Sequence, residues 1–197
     1  MIYLGIDNGK DGAVVSLDEK GRIAGKYKTP ILKASSKGGE KKGRDEYDIT
    51  GMRDILARVC PVNTDMGFIG SVMAFVEKAQ AMPSSMGGGL ANYSRGLSYG
   101  LWQGLLVGLG ISYQVVSPMA WQKAMLASIN SDDTKQAAAI AVRRLWPNEN
   151  WKKTEKTSKI DEGYADAALV AEFGRRLVGG GKGGEPGIEP GSPKMEV

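Results

Sequence analysis

Five carboxylates sit where a folded chain could gather them. Asp7 closes the apolar run IYLGI, Glu77 closes the run VMAFV, and Asp161, Glu162 and Asp166 stand at the head of a helical stretch. Strand ends that are neighbours in a sheet deliver side chains to one spot, and the crevice beyond them is where α/β sheets take ligands. Hard oxygen donors suit Mg²⁺ or Mn²⁺, which keep waters for a substrate phosphate. Two such ions, about 3.5–4 Å apart, activate a water and stabilise the leaving oxygen of a phosphodiester. That chemistry needs three or four carboxylates and no imidazole. The 197-residue chain has no histidine and one cysteine, Cys60. His-based triads, His-ligated zinc and an internal disulfide are therefore excluded, and acid–base or metal work falls to carboxylates and lysines.

Taken singly, each acid also has a plain structural use. Asp7 precedes Asn8-Gly9, a turn dipeptide; Glu77 could be a paired surface charge; acids at a helix start cap it and complement its dipole. Their joint placement is what points to a metal site. Helix geometry constrains the last group. Glu162 and Asp166 lie about 40° apart around a helix and share a face, whereas Asp161 and Asp166 lie about 140° apart. Asp161 can join only from an unwound N-cap, which Gly163 would ease. Spacing alone leaves Asp161 and Glu162 both open.

The elements that must position these acids are legible from periodicity. Residues 1–7, 12–17 and 22–29 are β-rich and separated by turn residues, so they read as an antiparallel meander. Residues 34–46 have loop composition. Ile49, Met52, Ile55, Leu56 and Val59 recur at helical spacing before Pro61. A buried strand is expected at 68–76, a Gly/Ser/Met loop at 79–92, and a helix at 93–109 that is apolar nearly all round. Its Gly96, Gly100, Gly104 and Gly108 lie along one face and permit close approach of another element. Tyr93, Tyr99, Trp102 and Trp121 read as core. A strand at 111–116 leads to Ser117-Pro118 and a short helix with Trp121. Asp132, Asp133 or Thr134 caps a helix turning Ala138, Ala141, Val142, Leu145 and Trp146 inward up to Pro147. A last helix spans about 161–177 with Ala165, Ala168, Leu169 and Phe173 inward. The order βββ-α-β-α-β-α-α predicts an α/β fold, a five-stranded mixed sheet with helices on both faces. Residues 1–178 form that domain, and 179–197, with seven glycines and three prolines, form an expected disordered tail.

The net charge is +4, and its distribution says more than its size. Arg22, Lys26, Lys28, Lys33, Lys37, Lys41, Lys42 and Arg44 face only Glu40 in their interval, and Lys152, Lys153, Lys156 and Lys159 face only Glu155. Such concentrations are a footprint for phosphate backbones. Lys37, Lys41, Lys42, Arg44, Lys152 and Lys153 are the candidate DNA contacts. The start MIYLGID has neither the basic nor the apolar region of a signal peptide, and the most apolar stretch, Leu97–Ile111, falls short of a membrane span. A soluble cytoplasmic protein is expected, in a nucleoid, a phage-infected cell or an organelle.

Five segments carry a family likeness: GIDNGKDGAVV at 5–15, FVEKAQAMP at 75–83, SRGLSYGLWQGLLVGLGISYQVVSPMAWQKAM at 94–125, TKQAAAIAVRRLWP at 134–147 and KIDEGYADAALVAEFGRR at 159–176. Together they resemble the RuvC-like Holliday-junction resolvases, most closely the chloroplast and phage-type members, across roughly residues 1–178. The resemblance implies an RNase H-like homodimer that nicks two strands of a four-way DNA junction symmetrically. It puts the four acids of the family motif on Asp7, Glu77, Asp161 and Asp166, with Glu162 in reserve, and a lysine near the scissile phosphate on Lys135. It also implies that the 93–109 helix packs across the dimer axis, while the 79–92 loop, directly after Glu77, enters the junction. Two other readings compete: a catalytically silent module that binds branched DNA, and a fragment related to actin-like ATPases or sugar kinases, which share the GID opening.

Overall fold

The structure, a computed structural model, describes residues 1–34, 44–60, 62–63, 67–68, 72–83 and 88–179. Its frame is a five-stranded mixed sheet built from β1 (Ile2–Asp7), β2 (Ala13–Leu17), β3 (Ile23–Lys28), β8 (Val72–Glu77) and β9 (Ser112–Val116), in the order β3-β2-β1-β8-β9. The first three strands form the antiparallel meander; β8 and β9 then add in parallel to β1. Two small pairs lie outside the sheet, β4 (Ile31–Leu32) with β5 (Glu46–Tyr47) and β6 (Val62–Asn63) with β7 (Gly67–Phe68). The expected 34–46 loop therefore ends in a short strand. The strand expected at 68–76 is β8, four residues later at its start.

Side chains alternate across a strand, so each strand serves two layers. Leu4, Ile6, Val14, Ala74 and Val76 pack beneath α1 (Ile49–Val59) and α2 (Gly88–Gly108), with Met52, Leu56, Trp102 and Leu106. Tyr3, Val15, Leu17 and Phe75 pack on the other face against α3 (Pro118–Leu126), α4 (Thr134–Leu145) and α5 (Glu162–Gly179). Asp7 and Glu77 continue the second set, so both acids emerge on the face that α3 and α5 cover. The α5 helix is deeply sunk, with Ala165, Ala167, Ala168, Leu169, Val170 and Ala171 all buried. Its row of alanines, and Gly5 beneath it, let the two backbones approach: a Cβ on Gly5 would collide with the Ala167 carbonyl.

Several expectations are corrected. The α2 helix begins at Gly88, so residues 88–92 are helical rather than loop, while 84–87 lie outside the described residues. Tyr93 is 66% exposed, not core, because it lies on the side of α2 opposite the buried Ser98, Trp102 and Leu106. Leu145 faces outward at 37% exposure, since α4 turns its buried stripe through Ala138, Ala141 and Val142. Gly179 closes α5 instead of opening a tail, and 180–197 lie outside the described residues. Among the described residues no helix is long and apolar enough to cross a membrane.

Candidate active site

The β1–β8 register fixes the heart of the site. Ile6 pairs with Val76 in parallel, so Asp7 and Glu77 follow side by side at the same end of the sheet. The head of α5 arrives over that end. Asp161 is held in place by the chain before it, where its amide donates to the Trp151 carbonyl at 2.8 Å. Asp161 Oδ1 then accepts from the Tyr164 amide at 3.1 Å, the N-cap arrangement that lets it stand outside the helical face. One turn on, Asp166 turns back toward the strand ends. Gly163 makes the approach feasible, since a Cβ there would meet the Asp11 carbonyl of the β1–β2 turn.

Electrostatics tie the acids together. Burial, with Asp7 beside it, pushes the Glu77 carboxyl up to about 7. Burial, and then the charges of Asp7, Glu77 and Glu162, push Asp166 up to about 8. Asp7 is also raised, by burial foremost, with the Gly9 amide and Lys28 pulling the other way. Three carboxylates from three elements thus share one poorly hydrated neighbourhood and oppose one another's ionisation, the situation a hard cation relieves. The donor set fits Mg²⁺ or Mn²⁺: all oxygen, no imidazole or thiolate. The acids share a neighbourhood rather than a point; among the described residues, no three His, Cys, Asp or Glu side chains close around a common centre.

The two alternatives for the fourth acid are both occupied by lysines. Lys28 Nζ sits 2.8 Å from Asp161 Oδ1, donates to the Asp11 carbonyl, and lies 5.2 Å from the Tyr164 ring centre. Lys135 Nζ lies 2.7 Å from Glu162 Oε2, with both side chains exposed. Asp161 is buried and Glu162 is solvated.

Beside the acids opens a cleft of about 670 Å³, lined by Asp161, Glu162 and Asp166 and rimmed by Lys28, Lys135, Arg143, Lys153 and Lys159. Its basic wall includes a hairpin: Lys152 bridges Ile160, and the Lys153 amide donates to the Lys159 carbonyl at 2.9 Å. Trp151, buried and 4.8 Å from Lys26 Nζ, anchors that hairpin to the sheet edge.

Two solved structures resemble this fold. T. thermophilus RuvC in complex with a Holliday junction substrate superposes with a TM-score of 0.56 at 16% identity, covering 91% of this chain and 96% of that one. The fold is that of RuvC. A further Thermus thermophilus RuvC structure gives a TM-score of 0.50 at 16% identity, covering 90% and 97%. No protein-family model matches the chain, and none of the curated proteins compared with it does. At this identity the likeness to RuvC is one of architecture: an RNase H-like core with a five-stranded mixed sheet. The kinase-fragment reading asks for a second domain, whereas the described residues form one such sheet, and the match spans RuvC almost end to end.

On this RuvC fold the basic candidates divide. Lys152 and Lys153 are exposed on the hairpin, and Lys153 faces the cleft. Arg44 is exposed and borders a separate groove of about 350 Å³ with Lys10, Tyr47, Tyr93 and Leu97. Lys37, Lys41 and Lys42 lie outside the described residues. Part of the first basic interval is spent internally, with Arg22 on Asp18, Lys26 on Glu149, Lys28 on Asp161 and Lys33 on Asp45. Sequence reasoning did not single out Arg143 and Lys159 as cleft residues, nor Lys28 as a partner of the acids, because an ion pair between positions 28 and 161 leaves no local pattern.

Proposed function

We propose that the chain is a structure-selective DNA endonuclease that resolves four-way Holliday junctions by paired, symmetric nicks. The observation that carries this reading is the convergence of Asp7, Glu77 and Asp166 from three elements beside a lysine- and arginine-rimmed cleft on a RuvC fold. Asp7, Glu77 and Asp166, with Asp161 or Glu162, would hold divalent cations, Mg²⁺ or Mn²⁺ and two per site. Such ions supply Lewis-acid stabilisation of the phosphate and ease deprotonation of the attacking water. The chain's own part is positioning. Lys135, Arg143, Lys153 and Lys159 draw a phosphate backbone along the cleft toward Asp166. Lys135, exposed and paired with an exposed Glu162, can swing to a phosphate and offset its developing charge.

A homodimer completes the proposal. Leu90, Tyr93, Leu97 and Val107 are exposed on α2, and a Cβ on Gly96, Gly100, Gly104 or Gly108 would meet nothing within 4 Å among the described residues. All eight fall within about 120° around the helix, opposite its buried face of Ser98, Trp102 and Leu106. A second α2 across a two-fold axis would cover that stripe and present two sites to two strands. The test is cleavage of synthetic four-way junctions with Mg²⁺ and with EDTA, with Asp7→Asn as control. Paired nicks that need the metal, and disappear in Asp7→Asn while junction binding persists, are expected. The silent-module reading draws on the lysine-paired Asp161 and Glu162 and, among the described residues, the absence of a closed carboxylate cage. Tight junction binding with no cutting in Mg²⁺ or Mn²⁺ would favour it.

A further inference from the structure

Trp121 is 1% exposed, yet its indole is not a purely apolar core group: Nε1 donates to Glu77 Oε1 at 2.8 Å. The placement follows from the elements. Glu77 pairs with Val116 at the end of β9, and the Lys78 amide donates to the Val116 carbonyl at 2.8 Å. Ser117 caps α3 immediately afterwards, its Oγ accepting from the Ala120 amide at 3.1 Å, and Pro118 sets the first turn. Trp121 lies one turn along, which folds it back over the end of β8. Asn8 secures the same residue from the other side, its side-chain amide donating to the Glu77 backbone carbonyl, while the Asn8 carbonyl accepts from buried Ser98 Oγ.

We propose that Trp121 is the positioning residue of the metal site, fixing Glu77 with one oxygen committed to the indole and the other left for a cation. The inference rests on the reading of Glu77 as a metal-holding carboxylate. The chemistry of the donor is the argument. An indole offers one N–H and no acceptor, so it sets the carboxylate's rotamer without ambiguity. It is also uncharged. Lys28 neutralises Asp161 as it holds it, whereas Trp121 fixes Glu77 and leaves its negative charge for the ion. Such outer partners orient metal-binding carboxylates, and losing one typically costs about 10–100-fold in metal affinity.

The experiment measures Mn²⁺ binding to the metal-depleted full-length protein, following free Mn²⁺ by electron paramagnetic resonance. Wild type is compared with Glu77→Gln, Trp121→Phe, and Trp121 replaced by β-(3-benzothienyl)alanine, which keeps the ring shape but lacks the N–H. Both Trp121 variants are expected to bind Mn²⁺ about tenfold more weakly, with the Mn²⁺ dependence of cutting displaced to match. Cutting at saturating Mn²⁺, and metal-free junction binding, should stay near wild type. A lost structural role would lower melting temperature in the Phe variant but leave the isosteric variant's affinity intact. Unchanged Mn²⁺ affinity in the benzothienyl variant overturns the proposal. If Glu77→Gln also binds Mn²⁺ as wild type does, the metal-site reading of Glu77 falls, and Trp121's role falls with it.

Discussion

Asp161 and Glu162 are adjacent, both acidic and both paired with a lysine, yet they do different work. Asp161 is buried, caps α5 through the Tyr164 amide, and holds Lys28 at 2.8 Å. Glu162 is exposed and touches the solvated Lys135. Asn caps a helix about as well as Asp, so the cost of removing the Asp161 charge lies in stranding the half-buried Lys28, about 1–3 kcal/mol. Asp161→Asn is therefore expected to lower the thermal midpoint of the metal-free protein, while Glu162→Gln leaves it within experimental error. If Asp161 is also the fourth ligand, its variant loses junction cutting even at temperatures where it is fully folded. Retained cutting in Asp161→Asn together with loss in Glu162→Gln would reverse the assignment. Thermal melts and cleavage rates on the same two proteins decide it.

Among the elements, α2 and the 152–160 hairpin carry the predictions about assembly and DNA. Gly104 lies in the open glycine row, where an added Cβ meets nothing within 4 Å among the described residues. Gly104→Glu should consequently leave the monomer's fold intact, and helix propensity favours it by up to about 1 kcal/mol. In a dimer packed through α2 it places a charged side chain in the seam. Light scattering is expected to report a dimeric mass for wild type and a monomeric one for Gly104→Glu, at unreduced melting temperature. An unchanged mass would remove α2 from the interface. The hairpin is read through salt. Neutralising Lys152, Lys153 and Lys159 should weaken junction binding and flatten its dependence on salt, by about one unit of log–log slope per lost phosphate contact. A slope equal to wild type would take the hairpin off the DNA. These elements also show what could be read from the chain. Periodicity and turn residues sufficed for the meander, β9, α1, α4 and α5, and the ends of two apolar runs put Asp7 and Glu77 at neighbouring strand ends. What lay beyond reach was set by distant partners. Tyr93 is apolar enough to pass for core and is exposed because it lies on the face of α2 turned away from Ser98, Trp102 and Leu106. Trp121 reads as core and is core, but the carboxylate beneath its N–H is 44 residues away.

At the scale of the whole molecule, the site sets a conflict between folding and readiness for a cation, and pH exposes it. Glu77 at about 7 and Asp166 at about 8 hold protons in the folded, metal-free protein that the unfolded chain releases near the ordinary carboxylate value of about 4. Between those limits the native state binds more protons than the unfolded one, so stability falls as pH rises, by up to about 1.4 kcal/mol per pH unit for each proton concerned. Below about pH 4 both states are protonated, and above about pH 8 both are ionised, so the slope vanishes at either end. Glu172 works in the opposite sense: Arg175 and Arg176, at 2.7 Å each, hold its carboxyl below the ordinary range, so its contribution is present above that range and disappears only in acid. The two effects occupy separate windows. Chemical denaturation of EDTA-treated protein is thus expected to show stability declining from pH 5 to pH 8, and Mg²⁺ should restore most at the alkaline end, where the carboxylates it would bind are ionised. Asp166→Asn removes one of the opposed charges, so its metal-free form should be more stable than wild type at pH 8 and respond less to Mg²⁺. Equal stability of Asp166→Asn and wild type across that range, with no Mg²⁺ effect on either, would mean that the acids neither repel one another nor share an ion.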